Sequence, residues 1–267
     1  MRAKTDQEIL EWLEAEYGQR FSGWDFSYLD GRRKPLGELP WSFATTARNA
    51  LSTATSVLDV DTGGGERFAN LLLTSAFSGS ASATESYGPN VALAKGNLNG
   101  LSVRLHDTSH RSADFADNSF DLILDRHGGS IACSDIYNML QPGGCYVTQQ
   151  VGEKTNSELR QLFDVERTAA SDFSLSLNHA VGILEPLGFS IEIAEEHLYP
   201  VRFYDVGALV YYLQAVPWEV PGFELEKFTS KLIELHRVTE TRGYAIDASF
   251  HSVFVVATKP DSTGFSA

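Results

Sequence analysis

The chain has 267 residues, a length that suits one large domain with additions and does not call for two full-sized domains. Hydrophobic residues make up 43% of it and aromatic residues 11%, which is enough to build a substantial core, so neither disorder nor a disulfide scaffold is needed to explain it. The formal net charge of -14 gives the average surface a field that repels phosphate backbones, so nucleic acid is a disfavoured partner.

Metal, membrane and secretion signals are weak. Cys133 and Cys145 lack metal-ligand spacing, so we expect reduced thiols and no metal site. Residues 1–20 are charged and amphipathic without the apolar centre of a signal peptide, and no run of about 18 apolar residues occurs. We therefore expect a cytoplasmic protein with no membrane partner. The oligomeric state is not predicted.

The N-terminal part combines a helix signal with an irregular aromatic stretch. Apolar residues at helical spacing predict an amphipathic helix over residues 5–17. The aromatic residues that follow are interrupted by glycines and prolines, so they cannot form one regular element. The basic cluster of Arg32, Arg33 and Lys34 is expected in a solvated loop. Residues 1–41 are assigned to an N-terminal helix and cap.

From Ser56 onward, short apolar strands alternate with helix-like segments, which is typical of βαβ units and a parallel sheet. The predicted strands are residues 56–60, 80–85, 101–106, 120–125 and 144–149. The predicted helices between them are residues 67–75, 89–97 and 134–140. A helix over 177–187 then leads into a strand at 189–194, and the last strand is 250–258. The roughly fifty residues between those two strands are too many for a simple connection, so we expect an inserted cap.

A glycine-rich turn follows the first predicted strand. Val57 to Val60 reads as a buried strand, and Gly63 to Gly65 precede a helix candidate. Glycines let ligand atoms approach the backbone, and the N–H groups at a helix start attract a carboxylate or phosphate. The glycines match neither the triphosphate loop nor the dinucleotide turn. Glu85 ends the second predicted strand, where its carboxylate can accept both hydroxyls of a ribose. The pair predicts nucleoside recognition.

With these features the chain resembles the class I S-adenosylmethionine-dependent methyltransferases, over roughly Ser42 to Lys259. The segments that carry the resemblance are residues 57–66, 83–85, 114–121 and 140–144, in the family's order. It implies an α/β fold with a doubly wound, mainly parallel, seven-stranded sheet of the Rossmann-like kind. The N-terminal helical cap precedes a domain at 42–259, which holds the inserted cap at about 197–245 before its last strand. Residues 260–267 form a C-terminal tail.

The resemblance also implies S-adenosylmethionine as the cofactor and assigns roles to individual residues. Asp59, Gly63, Gly64 and Gly65 shape the pocket of the methionine tail, Glu85 holds the ribose, and His106, Asp107 and Thr108 reach the adenine. The other candidates for cofactor binding are Asp61, Thr62, Ser86 and Asp125.

Asp61 departs from the family pattern, because the family has a glycine at that position of the turn. Asp tolerates left-handed backbone better than most residues, so the turn can survive. Its charge has two possible effects. The carboxylate could hydrogen-bond the cofactor's ammonium group, or it could repel the cofactor's carboxylate.

Two candidates for catalysis, Arg126 and His127, follow the fourth predicted strand. Methyl transfer is an in-line displacement, so positioning supplies much of the rate, and a base of near-neutral pKa helps some acceptors. His127 is the candidate base, and the alternative is a packing or capping histidine. Arg126 could pair with Asp125 or hold an anionic substrate. The amides of Gln149 and Gln150 could orient an acceptor or satisfy loop backbone.

The predicted function is methyl transfer from S-adenosylmethionine to a small organic molecule, through an oxygen, nitrogen or carbon acceptor. One alternative is a methyltransferase that acts on protein or RNA, although the acidic charge argues against RNA. The other alternative is a noncatalytic binding protein with a degenerate cofactor site.

Overall fold

The computed structural model describes residues 4–22, 24–109, 114–166 and 176–261. Residues 1–3 of the predicted cap and 262–267 of the predicted tail lie outside these ranges. The chain divides into two compact units. Unit 1 consists of Met1–Leu39, Glu153–Ser174 and Leu198–His251. Unit 2 consists of Pro40–Gly152, Leu175–His197 and Ser252–Ala267.

Helices and strands alternate along most of the described chain. The helices are α1 (Asp6–Tyr17), α2 (Phe43–Leu51), α3 (Glu66–Thr74), α4 (Gly88–Asn97), α5 (Cys133–Met139), α6 (Ser157–Phe163), α7 (Leu177–Leu184), α8 (Val206–Ala215) and α9 (Leu225–Arg242). The strands are β1 (Arg33–Pro35), β2 (Ser56–Val60), β3 (Ser80–Glu85), β4 (Val103–Asp107), β5 (Phe120–Arg126), β6 (Leu140–Val151), β7 (Ser190–Phe203) and β8 (Ile246–Thr258). No helix in these ranges is both long and apolar enough to cross a membrane.

The strands form one mixed sheet in the order β1-β7-β8-β6-β5-β2-β3-β4. Strand β2 runs parallel to β3 and β5, β3 runs parallel to β4, and β5 runs parallel to β6. Strand β8 is antiparallel to β6. This arrangement confirms the predicted α/β class with a mainly parallel sheet. It also places the carboxyl ends of β2 to β6 along one edge.

The predicted count of seven strands is wrong, because the described chain contains eight. The extra strand is β1, in which Arg33 and Lys34 pair with Phe203 and Arg202 of β7 rather than lying in a loop. Three residues carry too short a pattern to predict a strand, and their pairing depends on a partner far along the chain. Strands β6, β7 and β8 also extend beyond their predicted bounds for the same reason.

Local sequence explains the N-terminal helix of unit 1. The Thr5 hydroxyl accepts a hydrogen bond from the backbone N–H of Glu8, whose carboxylate accepts one from the backbone N–H of Thr5. This capping box satisfies two amides that a helix start leaves unpaired. Ile9 and Leu13, one turn apart, are fully buried in the core of unit 1. The predicted amphipathic helix is therefore confirmed.

Unit 2 has a separate hydrophobic cluster on each face of its sheet. Val57 of β2 packs in one cluster with Leu122 and Leu124, whereas Leu58 of the same strand packs in the other with Ile123. All five residues of β2 are buried, as expected for a central parallel strand covered on both faces. This burial holds rigidly the strand that leads into the glycine turn.

Candidate functional site

The predicted site residues lie at the ends of five neighbouring strands. Val60 pairs with Asp125 across β2 and β5, and Glu85 pairs with Asp107 across β3 and β4. Arg126 pairs with Gln149 across β5 and β6. Because these strands are parallel, their ends meet along one edge of the sheet, where ligands bind in open α/β folds.

The glycine turn combines open space with close packing. Gly63 and Gly65 both have left-handed backbone, with φ of 65° and 81°. A Cβ atom at Gly63 would meet nothing within 4 Å, whereas one at Gly65 would lie 3.0 Å from Leu98 Cγ. A Cβ atom at Gly64 would collide with the Glu66 carboxylate. Gly63 therefore borders space that a ligand can use, and Gly65 lets α4 pack closely against the turn.

Asp61 holds the loop after β5. Its backbone is left-handed, with φ of 51°. Its carboxylate accepts hydrogen bonds from the backbone N–H groups of Gly129 and Ser130, each at 3.0 Å, and from the Ser130 hydroxyl at 2.7 Å. From the sequence, the Asp61 carboxylate was expected to bind the cofactor's ammonium group or to repel its carboxylate. The structure adds a third role, because these hydrogen bonds connect the glycine turn to the loop after β5.

Glu85 is a buried carboxylate beside the glycine turn, with only 3% of the residue exposed. Its Oε1 accepts a hydrogen bond from the backbone N–H of Tyr87 at 2.7 Å. Burial raises the pKa of Glu85, and the N–H groups of Tyr87, Gly63 and Ser86 partly oppose that rise. The turn is fixed against this strand end, because the Thr62 N–H donates to the Thr84 carbonyl at 2.8 Å.

A cavity of about 350 Å³ opens beside the end of β4. Its lining residues are Thr108, Asp114, Phe115, Asp117, Ser130, Ile131, Asp135, Asn138 and Met139. The Thr108 N–H donates to the Glu85 carbonyl at 2.9 Å, which joins this region to the end of β3. Of the three residues expected to reach the adenine, His106, Asp107 and Thr108, only Thr108 lines the cavity. The Asp107 carboxylate accepts hydrogen bonds from the Ser109 hydroxyl at 2.5 Å and from its N–H at 3.1 Å.

Two buried carboxylates lie behind this edge. Burial, with the nearby charges of Asp125, Asp61 and Glu85, raises the pKa of Asp59 to about 7. Burial also raises the pKa of Asp125 to about 6. Part of each rise comes from neighbouring carboxylates, whose mutual repulsion a cationic ligand would reduce.

Asp125 is held by donors from β6 and from its own loop. Its carboxylate accepts hydrogen bonds from the Tyr146 hydroxyl at 2.8 Å, from Gln150 Nε2 at 3.0 Å and from the Gly128 N–H at 3.1 Å. Arg126 follows it on the strand, and successive strand residues project to opposite faces. The alternatives for Arg126, pairing with Asp125 or holding an anionic substrate, both stay predictions. Tyr146 had no motif to mark it in the sequence.

His127 directly follows β5, as predicted, and has left-handed backbone with φ of 61°. Its N–H donates to the Gln149 carbonyl at 2.9 Å, and its Nε2 lies 3.5 Å from Gln149 Nε2. Protein atoms crowd the ring and lower the pKa of His127, and the charges of Arg126 and Arg67 lower it further. The residue as a whole is nevertheless exposed, so solvent reduces the effect of burial on its pKa. The lowered pKa disfavours a protonated ring, and the role of His127 as a base stays a prediction.

Gln149 is also contacted by Trp41, which the sequence assigned to the cap. The Trp41 indole N–H donates to Gln149 Oε1 at 3.1 Å. The indole stacks on Phe254 of β8, with ring centroids 5.5 Å apart and planes 11° from parallel. Only the aromatic character of Trp41 could have drawn attention to it, because its partner is 108 positions away.

No protein-family model matches the sequence, and no curated protein matches it either. Solved structures do match. A candidate methyltransferase from Bacillus halodurans is 17% identical with a TM-score of 0.56, and the match covers 81% of this chain and 98% of that one. The YcgJ protein from Bacillus subtilis is 14% identical with a TM-score of 0.55, covering 82% and 98%. The [4+2]-cyclase SpnF is 14% identical with a TM-score of 0.53, covering 98% of each chain.

Identities this low carry information about the fold and not about the reaction. The matched structures span most of this chain, and they include a candidate methyltransferase. The parallel sheet, the glycine turn after β2 and the acidic residue ending β3 occupy the places that the resemblance implied. The chain has the fold of the class I S-adenosylmethionine-dependent methyltransferases.

Proposed function

We propose that this protein binds S-adenosylmethionine at the carboxyl edge of β2 to β5 and transfers its methyl group to a small organic molecule. The observation that carries the proposal is the pairing of the buried Glu85 carboxylate with a glycine turn that is open at Gly63. A nucleoside needs such a pair, because its ribose requires an acceptor for two hydroxyls and its chain requires a close approach to backbone.

The residues present fit the cofactor. Glu85 would accept the ribose hydroxyls, and the turn at Gly63 would admit the methionine tail. The cavity beside Thr108 and Phe115 would take the adenine, and the buried Thr108 Oγ1 has no hydrogen-bond partner in the described chain. The carboxylates of Asp59 and Asp61 suit a ligand that carries a sulfonium and an ammonium group.

The bound cofactor would supply an electrophilic methyl group, and the protein would supply position. Transfer requires an acceptor atom about 3 Å from the methyl carbon, in line with the bond that breaks. The loop of His127 is held in place by Asp61 and by the Gln149 carbonyl, so its side chains can orient an acceptor. Arg126, at the same strand end, is a candidate for holding an anionic part of the substrate.

A small-molecule acceptor is favoured over a nucleic acid because the net charge of -14 opposes binding of a phosphate backbone. A protein acceptor is the alternative that this charge does not oppose. One of the similar structures is a cyclase, so the fold has to be tested for methyl transfer itself.

The test is to incubate the protein with cofactor labelled in its methyl group and, separately, with a metabolite extract, a protein extract and total RNA. Labelled product in the metabolite extract, reduced with Glu85→Ala at a cofactor concentration that does not saturate the variant, would support the proposal. Label confined to protein or RNA would replace the small-molecule acceptor by a macromolecule. Cofactor binding without transfer to any pool would favour a noncatalytic binding protein.

A further inference from the structure

A chain of polar contacts leads from Trp41 through Gln149 to His127, all within unit 2. The first contact fixes the amide of Gln149. An indole N–H can only donate, so the atom 3.1 Å from Trp41 Nε1 has to be the amide oxygen. Stacking on Phe254 holds the indole, and Gln149 is only 3% exposed, so the amide has little freedom to turn over.

The second contact fixes the proton of the His127 ring. With its oxygen directed at Trp41, Gln149 presents Nε2 to the ring, and an amide nitrogen can only donate. The ring atom it approaches, at 3.5 Å, is His127 Nε2, which must then act as the acceptor. A neutral imidazole with an accepting Nε2 carries its proton on Nδ1.

The backbone around the ring is also constrained. His127 has left-handed backbone and donates its N–H to the carbonyl of the same Gln149. The next residues are fixed by Asp125, which accepts from the Gly128 N–H, and by Asp61, which accepts from Gly129 and Ser130. Arg126 and Arg67 place positive charge near the ring and disfavour its protonation.

We infer that Gln149, oriented by Trp41, is a positioning residue that holds His127 neutral with its proton on Nδ1, so that His127 acts as a hydrogen-bond donor and not as a base. What this tautomer means for catalysis rests on the proposed function. An acceptor at this site would arrive deprotonated or would lose its proton to water.

The tautomer can be measured directly in the whole protein without cofactor. Histidine labelled with ¹⁵N gives different imidazole nitrogen shifts for the Nδ1–H, Nε2–H and charged forms, and the signals that disappear in His127→Gln identify this ring. We expect the Nδ1–H form near neutral pH. A predominant Nε2–H form or a charged ring would overturn the inference.

Matched variants test the cause. Gln149→Glu replaces the donor by an acceptor of the same shape, so the ring should change to the Nε2–H form and its pKa should rise by about one unit or more. Trp41→Phe keeps an aromatic ring but removes the indole N–H, so it should produce a mixture of the two tautomers. Trp41→Phe also tests the inference if the buried glutamate of Gln149→Glu prevents folding. An unchanged Nδ1–H form in both variants would show that these residues do not set the proton position.

Activity provides an independent readout. If methyl transfer is established, the rate of the wild-type enzyme should follow the ionisation of the acceptor, whereas Gln149→Glu should introduce an additional pH dependence from His127. The proposed function and this inference can fail separately. The tautomer of His127 is determined by NMR in the absence of cofactor, and cofactor binding is measured in an experiment that does not depend on the tautomer.

Discussion

The carboxylate of Asp61 accepts hydrogen bonds from both the hydroxyl and the backbone N–H of Ser130, at 2.7 and 3.0 Å. Asp61 follows β2 and Ser130 follows β5, so one side chain joins the loops at the ends of two neighbouring parallel strands. The family that the sequence resembles has a glycine at this position. Here the left-handed turn carries a side chain that fixes the loop of His127.

Replacing Asp61 with glycine should leave the fold intact, because glycine adopts the left-handed conformation readily. The amides of Gly129 and Ser130 should lose their acceptor, and their hydrogen exchange should accelerate by roughly tenfold to a hundredfold. Ser130→Ala is the matched control, since it removes one donor and leaves both amides bonded. Equal exchange in all three proteins would contradict the role given to Asp61. Cofactor binding should persist in Asp61→Gly.

Replacing Glu85 with alanine should weaken S-adenosylmethionine binding by about 1.5–3 kcal/mol, roughly a factor of ten to a hundred, because two ribose hydroxyls lose a charged acceptor. Glu85→Gln keeps the shape and one acceptor, so its loss should be smaller. Since burial raises the pKa of Glu85, wild-type affinity should fall as the pH drops through that pKa. Equilibrium dialysis of the three proteins over pH measures both effects. Equal affinity in the alanine variant would place the ribose elsewhere.

Gly63→Ala and Gly65→Ala should separate binding from folding. The added methyl group at Gly63 meets open space, so the folding cost should be only that of the left-handed backbone, about 1–2 kcal/mol. It would nevertheless occupy the space assigned to the cofactor and should abolish most binding. At Gly65 the methyl group would press on Leu98 and Ala94 of the neighbouring helix, so stability should fall further. Urea unfolding measures the stability of the two variants, and equilibrium dialysis measures their affinity for the cofactor. Normal binding by Gly63→Ala would show that the cofactor does not lie against Gly63.

Asp59 should make stability depend on pH. Its pKa is raised from 3.8 to about 7, so the folded protein retains a proton that the unfolded chain releases at lower pH. The associated stabilisation is fully present below about pH 4 and is lost as the pH rises towards 7. Asp59→Asn lacks this titration, so its stability relative to wild type should increase by on the order of 1–3 kcal/mol between pH 4 and 7. Denaturant unfolding measures the difference, and a constant difference over that range would disprove the raised pKa.

The sequence predicted the features that depend on local pattern. Apolar strands and the glycine turn are read over a few residues, and Glu85 is marked by its place at a strand end. The contacts of Asp61 with Ser130 and of Trp41 with Gln149 join residues 69 and 108 positions apart, so no local pattern could predict them. Strand β1 was not predicted for the same reason, because it pairs with β7, a strand far along the chain. The cofactor and catalytic roles remain predictions.

Calorimetric titration of the wild-type protein with S-adenosylmethionine measures cofactor binding without any assumption about the acceptor. We expect saturable binding at a single site per chain, with a dissociation constant well below about 1 mM. Absence of binding up to that concentration, with the protein shown to be folded, would mean that the edge formed by Gly63 and Glu85 does not hold this cofactor.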